Sequence, residues 1–370
     1  MAITYSYLVD HGFRDGYCRG GTTFNRTASY VGIGHDGTGA HDGFFRFLVV
    51  SIPKNATIDS AYIKFTAYTN KAADTVRVKI SCADADDQAV PTTCGQLAAI
   101  SRTTAQVDWD FADDWTADTQ YTSPDIKTSI QEVVDRTNWD PGNSIMVLVD
   151  DDGSDASAWR DCYTYDDTPA KGAELEITWS MDEEVLIAAG GDDGYVTTAA
   201  FSNAAAYVLI GAATAVNTID AFFRFDNVAI PAGAIITEAR VIFHSDRMAK
   251  SDTMRTNVTA EDADDPAAPI NKADVDGRVR TTASVAWDFV TNWITSFDYI
   301  TPDISAVIQE VVDRGGWASS NAIIIFVDDD GSDLGAYRGM HSRDASATAC
   351  ASLAVNYTSP GSPVAAAIFF

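Results

Sequence analysis

Runs of alternating and continuous apolar positions, cut by polar turns, dominate the chain. Phe44-Phe45-Arg46-Phe47-Leu48-Val49-Val50 is aromatic and β-branched. It stops at Ile52-Pro53, and proline closes a strand because it cannot donate to the ladder. Ala61 to Tyr68 alternates in part, and Val76-Arg77-Val78-Lys79-Ile80 alternates strictly. Strict alternation predicts a half-buried strand. Ser144 to Val149 is a continuous apolar run, which predicts a central strand, and Leu175 to Trp179 alternates again. One segment has helical spacing instead: Ile126, Ile130, Val133 and Val134 share a face. Ser123 as cap, Pro124 in the first turn, Asp125 at the positive end and Arg136 at the negative end complete a short helix. Its polar Gln131 and Glu132 read as solvated surface.

The pattern then repeats with an offset of 178 and no gap. Asp15-Gly16-Tyr17 returns as Asp193-Gly194-Tyr195, and Phe44-Phe45-Arg46-Phe47 as Phe222 to Phe225. Asp84-Ala85-Asp86-Asp87 returns as Asp262 to Asp265, Gln131 to Arg136 as Gln309 to Arg314, and Asp150 to Asp155 as Asp328 to Asp333. A period this long predicts two similar domains rather than a solenoid of short repeats. The expectation is an all-β fold: two tandem jelly-roll β-sandwiches, residues 1–178 and 179–356, each with one short helix. Residues 357–370 are read as a Pro/Gly/Ser linker and an apolar tail.

Composition narrows the functions. The chain has 370 residues, 25 Lys+Arg against 53 Asp+Glu, and a net charge of −28. So acidic a surface excludes nucleic acid as a partner, because phosphate binding needs a cationic face. No run of about 18 apolar residues predicts a membrane span. The start has no basic and apolar signal pattern, so no secretory signal is expected. Five cysteines (Cys18, Cys82, Cys94, Cys162 and Cys350) are too sparse for a disulfide framework. They read mainly as small buried hydrophobes, with Cys82 and Cys94 able to pair across a loop.

These segments resemble the DNRLRE-type jelly-roll modules, a group that includes carbohydrate-binding modules. The resemblance rests on three pieces: the Phe-Phe-Arg-Phe strand, the Ile-Pro turn of Ile52 to Ile58 and Ile230 to Ile236, and the Pro-Asp-Ile helix with its following Trp139 or Trp317. It spans nearly all of both copies, although the literal signature is absent. It implies a mostly non-catalytic β-sandwich of the kind found in extracellular bacterial proteins and phage structural proteins.

Four candidate sites follow. The first is the loop with Asp150, Asp152 and Asp155, and its copy with Asp328, Asp330 and Asp333; clustered carboxylates after a strand suit Ca²⁺, which takes roughly six to eight oxygens. The loop is not an EF-hand. A solvated acidic turn is the plainer reading, as is an Asp–Arg pair with Arg160 or Arg338. The second is Asp84, Asp86 and Asp87 with Asp262, Asp264 and Asp265. The third is Trp159 and Tyr337, aromatics in polar stretches suited to stacking on a glycan; Trp109, Trp115, Trp139, Trp287, Trp293 and Trp317 read as core. The fourth is Ile368, Phe369 and Phe370, an apolar end that would dock on a protein subunit of a larger assembly or fold back on its own domain. No His/Ser/Asp or HExxH constellation, nucleophile elbow or P-loop is present. The expectation is therefore a non-enzymatic virion surface protein, with a secreted carbohydrate-binding or adhesive protein as the alternative and a hydrolase as a third.

Overall fold

The computed structural model describes residues 3–71, 74–214, 217–247, 252–290 and 292–360. It divides into two compact units, the first running to Ser180 and the second beginning at Met181. Each is an all-β sandwich.

In the first unit the strands are β1 (Ile3–Leu8), β2 (Asp15–Arg19), β3 (Thr23–Asn25), β4 (Tyr30–His35), β5 (Ala40–Phe47), β6 (Thr57–Thr66) and β7 (Val76–Cys82). Helix α1 (Cys94–Ala98), β8 (Val107–Phe111), β9 (Gln120–Thr122), α2 (Lys127–Val134), β10 (Ile145–Asp151), β11 (Trp159–Tyr163) and β12 (Glu174–Ser180) complete it. One sheet runs β1-β12-β6-β9 and the other β11-β4-β5-β10-β7-β8, with β2 also paired to β5. All the pairings are antiparallel.

The central strands are apolar on both faces because both faces are covered. Phe45, Phe47, Ile145 and Val147 are buried in the main core, as are Ile63, Phe65, Val78, Ile80, Leu175 and Ile177 from neighbouring strands. Phe44, Met146 and Leu148 turn the other way, into a smaller cluster with Cys18, Ala83, Leu97 and Ile100. That second cluster lies under the 83–106 crossover, which carries α1. Two buried faces explain why β10 reads as a continuous run rather than an alternation.

Helix α2 buries Ile130, Val133 and Val134 as its spacing requires. Its start differs from the expectation. The cap residue is Ile126, and Ser123 instead accepts the Ile63 N–H on β6 at 3.1 Å. Asp125, one residue before the cap, accepts from the first helical amide, Lys127 N–H, at 2.9 Å and from Ala61 N–H of β6 at 3.0 Å, tying the helix start to that strand. Gln131 and Glu132 are not merely solvated. Gln131 accepts from Ile58 N–H and donates to Ala56 C=O, and Glu132 accepts from the Thr104 and Ala105 amides. Trp139 is buried and its Nε1 donates to Ile52 C=O at 3.0 Å, so it packs on the Ile-Pro turn.

The second unit contains β13 (Glu183–Leu186), β14 (Asp193–Thr197), β15 (Phe201–Ser202), β16 (Tyr207–Thr214), β17 (Asn217–Val228), β18 (Ile235–Arg247) and β19 (Thr256–Ala260). It continues with α3 (Lys272–Gly277), β20 (Val285–Ala286), β21 (Asp298–Ile300), α4 (Ser305–Val312), β22 (Asn321–Asp329), β23 (Tyr337–His341) and β24 (Ser352–Thr358). Its two layers are joined because β18 pairs with β24 along most of its length and with β23 near its end. In the first unit the corresponding link is a single bridge, Ala67 to Cys162.

Two expectations need correction. Among the described residues each unit carries two short α-helices, not one, and the first also has a 3-10 turn at Pro169–Lys171; α1 and α3 were legible as capping boxes. Thr93 accepts from Gln96 N–H while Gln96 accepts from Thr92 N–H, and Asn271 with Asp274 does the same. The gap-free offset also slips locally. Trp159 pairs with Gly34 and Tyr337 with Gly211, so the glycines are 177 apart while Trp159 and Tyr337 keep the offset of 178. Both glycines have positive φ, 93° and 98°, and a Cβ would come within 2.5 Å and 2.4 Å of the Ala158 and Ala336 carbonyls.

Candidate functional site

The acidic loops leave β10 and β22 directly, and their carboxylates diverge. Asp150 receives a two-pronged contact from the Arg102 guanidinium, 3.0 and 2.9 Å. Asp152 faces Lys79 Nζ at 2.6 Å, and Asp155 faces Arg77 at 2.6 Å. Asp151 turns back to its own loop and accepts from the Gly153 and Ser154 amides. In the second unit Asp328 meets Arg280 at 3.3 Å and Asp333 meets Arg255 at 2.9 Å. Asn257 stands where the first unit has Lys79, and Asp330 is exposed. The arginines hold the Asp155 and Asp333 carboxyls below the ordinary range. Among the described residues no three His, Cys, Asp or Glu side chains are grouped to hold a metal ion.

Arg160 and Arg338 are not the partners of these loops. Both are fully buried. Arg160 donates to Asp113 C=O at 3.2 and 2.7 Å and lies over Phe111, and Arg338 lies over Phe289. The second acidic cluster is also internal. Arg136 bonds Asp84 and Asp86, Arg46 bonds Asp87, and Arg314 bonds Asp262 and Asp264.

Trp159 sits in a larger aromatic group than the sequence suggested. Its ring carries the Lys71 ammonium 3.6 Å from the centroid, and the His41 ring lies nearly parallel at 5.7 Å. Tyr17, Tyr30, Tyr68 and Tyr163 continue the group through centroid spacings of 5.9, 5.7 and 5.0 Å. Antiparallel register brings Tyr30 opposite Tyr163, and β2, β5 and the segment after β6 supply the rest. Polar groups fix the cations here. Lys71 lies 3.3 Å from Asp161, and Asp161 is buried and accepts from Thr69. Lys171 lies over Tyr163 and bonds Asp118.

His41 is buried, with Nε2 3.3 Å from Asp36. Burial pushes its imidazolium pKa down and outweighs the pull of Asp36. For Asp36 burial pushes up, but hydrogen bonds from Thr38, His41 and Gly39 win and hold the carboxyl well below its ordinary value.

The second unit fills the same positions differently. Tyr337 is half-buried, Tyr195 and Tyr207 stack at 6.3 Å, and His341 stands opposite Tyr207 where Tyr163 stands opposite Tyr30. His341 stacks on His244 at 5.6 Å, and His244 Nδ1 lies 2.7 Å from Asp298. Sequence reading singled out Trp159 and Tyr337 and missed Tyr30, Tyr68, Tyr163, His41 and Lys71. Tyr30 and Tyr163 each stand half-buried at the end of a short strand whose middle residues are all buried, so alternation did not mark them.

Cys94 does not pair with Cys82. It forms a disulfide with Cys18, joining α1 to β2, while Cys82, Cys162 and Cys350 are free and buried. Ile368, Phe369 and Phe370 lie outside the described residues. Among the described residues no helix is long and apolar enough to cross a membrane.

No protein-family model matches the chain, and no curated protein matches it. Solved structures overlap it at low scores. Infectious bursal disease virus, Gx strain, is 11% identical, with 97% of this chain and 72% of that one covered and a TM-score of 0.19. The N-terminal CBM22-1–CBM22-2 tandem domain of Xyn10C from Paenibacillus barcinonensis is 8% identical, with 95% and 97% covered and a TM-score of 0.20. The Macrobrachium rosenbergii nodavirus is 8% identical, with 96% and 89% covered and a TM-score of 0.19. At TM-scores this low none of them says what this chain does.

Proposed function

We propose that this chain is a non-enzymatic structural surface protein, a virion component of the decoration, cement or fibre kind, built from two DNRLRE-type sandwiches. One observation carries the reading: most of the carboxylates that stand out in the sequence face cations or amides of their own unit, Asp330 being the exposed exception. Arg136 with Asp84 and Asp86 returns as Arg314 with Asp262 and Asp264, and Arg102 with Asp150 returns as Arg280 with Asp328. Polar chemistry used twice to fasten loops serves a scaffold rather than a reaction. The Cys18–Cys94 disulfide fits a protein that meets an oxidising exterior. Its partners would be protein subunits of a larger assembly.

The test is immunogold electron microscopy and mass spectrometry on particles purified from the source culture. Regular labelling at fixed stoichiometry supports the reading, and recovery only as free protein overturns it.

A second reading is favoured by the aromatic group around Trp159. Aromatic rings suit the CH faces of sugars, and Trp159, Tyr30, Tyr68 and Tyr163 gather half-buried rings. Lys71 lies over Trp159 and Lys171 over Tyr163, so a sugar would stack there by displacing those ammonium groups. A glycan array tests it: Trp159→Ala and Tyr163→Ala should each abolish binding, while Tyr337→Ala reports on the second unit. An array with no ligand for the intact chain removes this reading and leaves the first untouched.

A further inference from the structure

Asp15 and Asp193 each open a strand and are fully buried, 0% and 1% exposed. One oxygen of Asp15 accepts from the Tyr165 amide at 3.1 Å, and one oxygen of Asp193 accepts from the Arg343 amide at 2.8 Å. The other oxygen of each has no hydrogen-bond partner beyond its own residue. These bonds connect the beginning of β2 and of β14 to the turn that precedes the last strand of the same unit. We propose that the two side chains are proton-dependent latches: each fastens that turn as a neutral carboxylic acid, and loss of the proton releases it.

The surroundings favour the neutral form. A buried carboxylate with one empty oxygen is strongly disfavoured unless a cation faces it. What faces Asp15 is another acid, Asp166, whose carboxylate packs directly on Gly12; a Cβ at Gly12 would stand 2.0 Å from it. Asp344 packs on Gly190 in the same way, at 2.2 Å, and acts on Asp193. The remaining groups do not supply the missing cation. His11 acts on Asp166, and the buried Cys162 thiol lies near Asp15. Around Asp193, Asp192 is paired with Arg224, Arg343 donates from Nε to Ala188 C=O, and Cys350 is buried nearby. The Tyr165 and Arg343 amides by themselves favour the ionised form, but burial outweighs them and, with the neighbouring carboxylate, pushes both carboxyls up to about 7. The release on ionisation comes from the unpaired buried charge and its repulsion of Asp166 or Asp344, which the same turn carries, not from a weaker amide bond.

The sign follows from linkage. Between the ordinary carboxyl range, about 4, and about 7, the folded chain holds these protons and the unfolded chain does not. The stabilisation is fully present below that window and is lost as pH rises through it.

The test uses the full chain. Carboxyl ¹³C titration should give midpoints near 7 for Asp15 and Asp193, and Tm should fall as pH rises from about 5 to 7.5. The double variant Asp15→Asn with Asp193→Asn should flatten that fall. Asp166→Asn should lower the Asp15 midpoint and leave that of Asp193 in place. Exchange of the Tyr165 and Arg343 amides, normalised to intrinsic rates, should accelerate across the same window. Midpoints near 4, or unchanged protection of both amides up to pH 8, overturn the proposal even if the Asn variants fail to fold.

Discussion

The two crossovers, 83–106 and 261–284, do the same job with different fasteners. In the first unit a disulfide, Cys18–Cys94, ties α1 to β2 over Phe44, Leu97, Ile100, Met146 and Leu148. In the second unit Val196 and Lys272 occupy the cysteine positions, and the buried cluster is Val196, Phe222, Val275, Ile324 and Phe326. Arg278 stands where the first unit has Ile100, and Glu261 where it has Ala83. Arg278 bonds both Glu261 and Asp274, and Arg280 lies over Phe326 at 3.6 Å. A covalent tie and an ion network thus hold equivalent segments. By contrast, Arg136 and Arg314, Glu132 and Glu310, and Trp139 and Trp317 keep their partners in both units. What recurs is what the fold needs, and what differs is free to specialise.

The sharpest way to break this comparison is to remove a recurring part. Trp139 and Trp317 are buried and each donates to an Ile-Pro carbonyl. Trp139→Ala and Trp317→Ala should each cost about 3–5 kcal/mol, through a cavity and an orphaned carbonyl. Calorimetry of the full chain checks it. A clearly smaller loss in one unit would mean that the shared contact does not bear equally on both.

Removing the differing parts should cost less. Cys18→Ser with Cys94→Ser opens a cross-link spanning 76 residues and should lose about 2–4 kcal/mol. Arg278→Ala removes ion pairs to Glu261 and Asp274, for which about 1–3 kcal/mol is expected. Urea unfolding of the two variants ranks them. If Arg278→Ala is the more damaging, the ion network is the stronger fastener.

Much of this was legible in the sequence because period and spacing report burial directly. Phe44-Phe45-Arg46-Phe47, the β10 run and the α2 stripe all fell where their patterns placed them. What was not legible was partnership. Asp150 to Asp155 has the composition of a cation loop, and only the fold reveals that Arg77, Lys79 and Arg102 arrive from two other segments to face it. Cys94 sits nearer in sequence to Cys82, yet the crossover carries it to Cys18. The aromatic group was underestimated for the same reason: Tyr30, Tyr68 and Tyr163 come from three segments that no local window contains.

The smallest effect is expected at the acidic loops, and it separates two readings of them. Asp152 faces exposed Lys79, whereas Asp330 has Asn257 where that lysine would be. An exposed pair contributes little because water screens it and both side chains lose freedom. Asp152→Asn and Asp330→Asn should therefore leave Tm nearly unchanged, as should a chelator or added Ca²⁺. Asp150→Asn and Asp328→Asn should do more, since each breaks a two-pronged contact with a half-buried arginine. A rise in Tm with Ca²⁺ that Asp330→Asn abolishes, while Asp152→Asn does not, would invert the comparison. The second unit would then hold a cation where the first has its own lysine, and the missing Lys79 counterpart would be the reason.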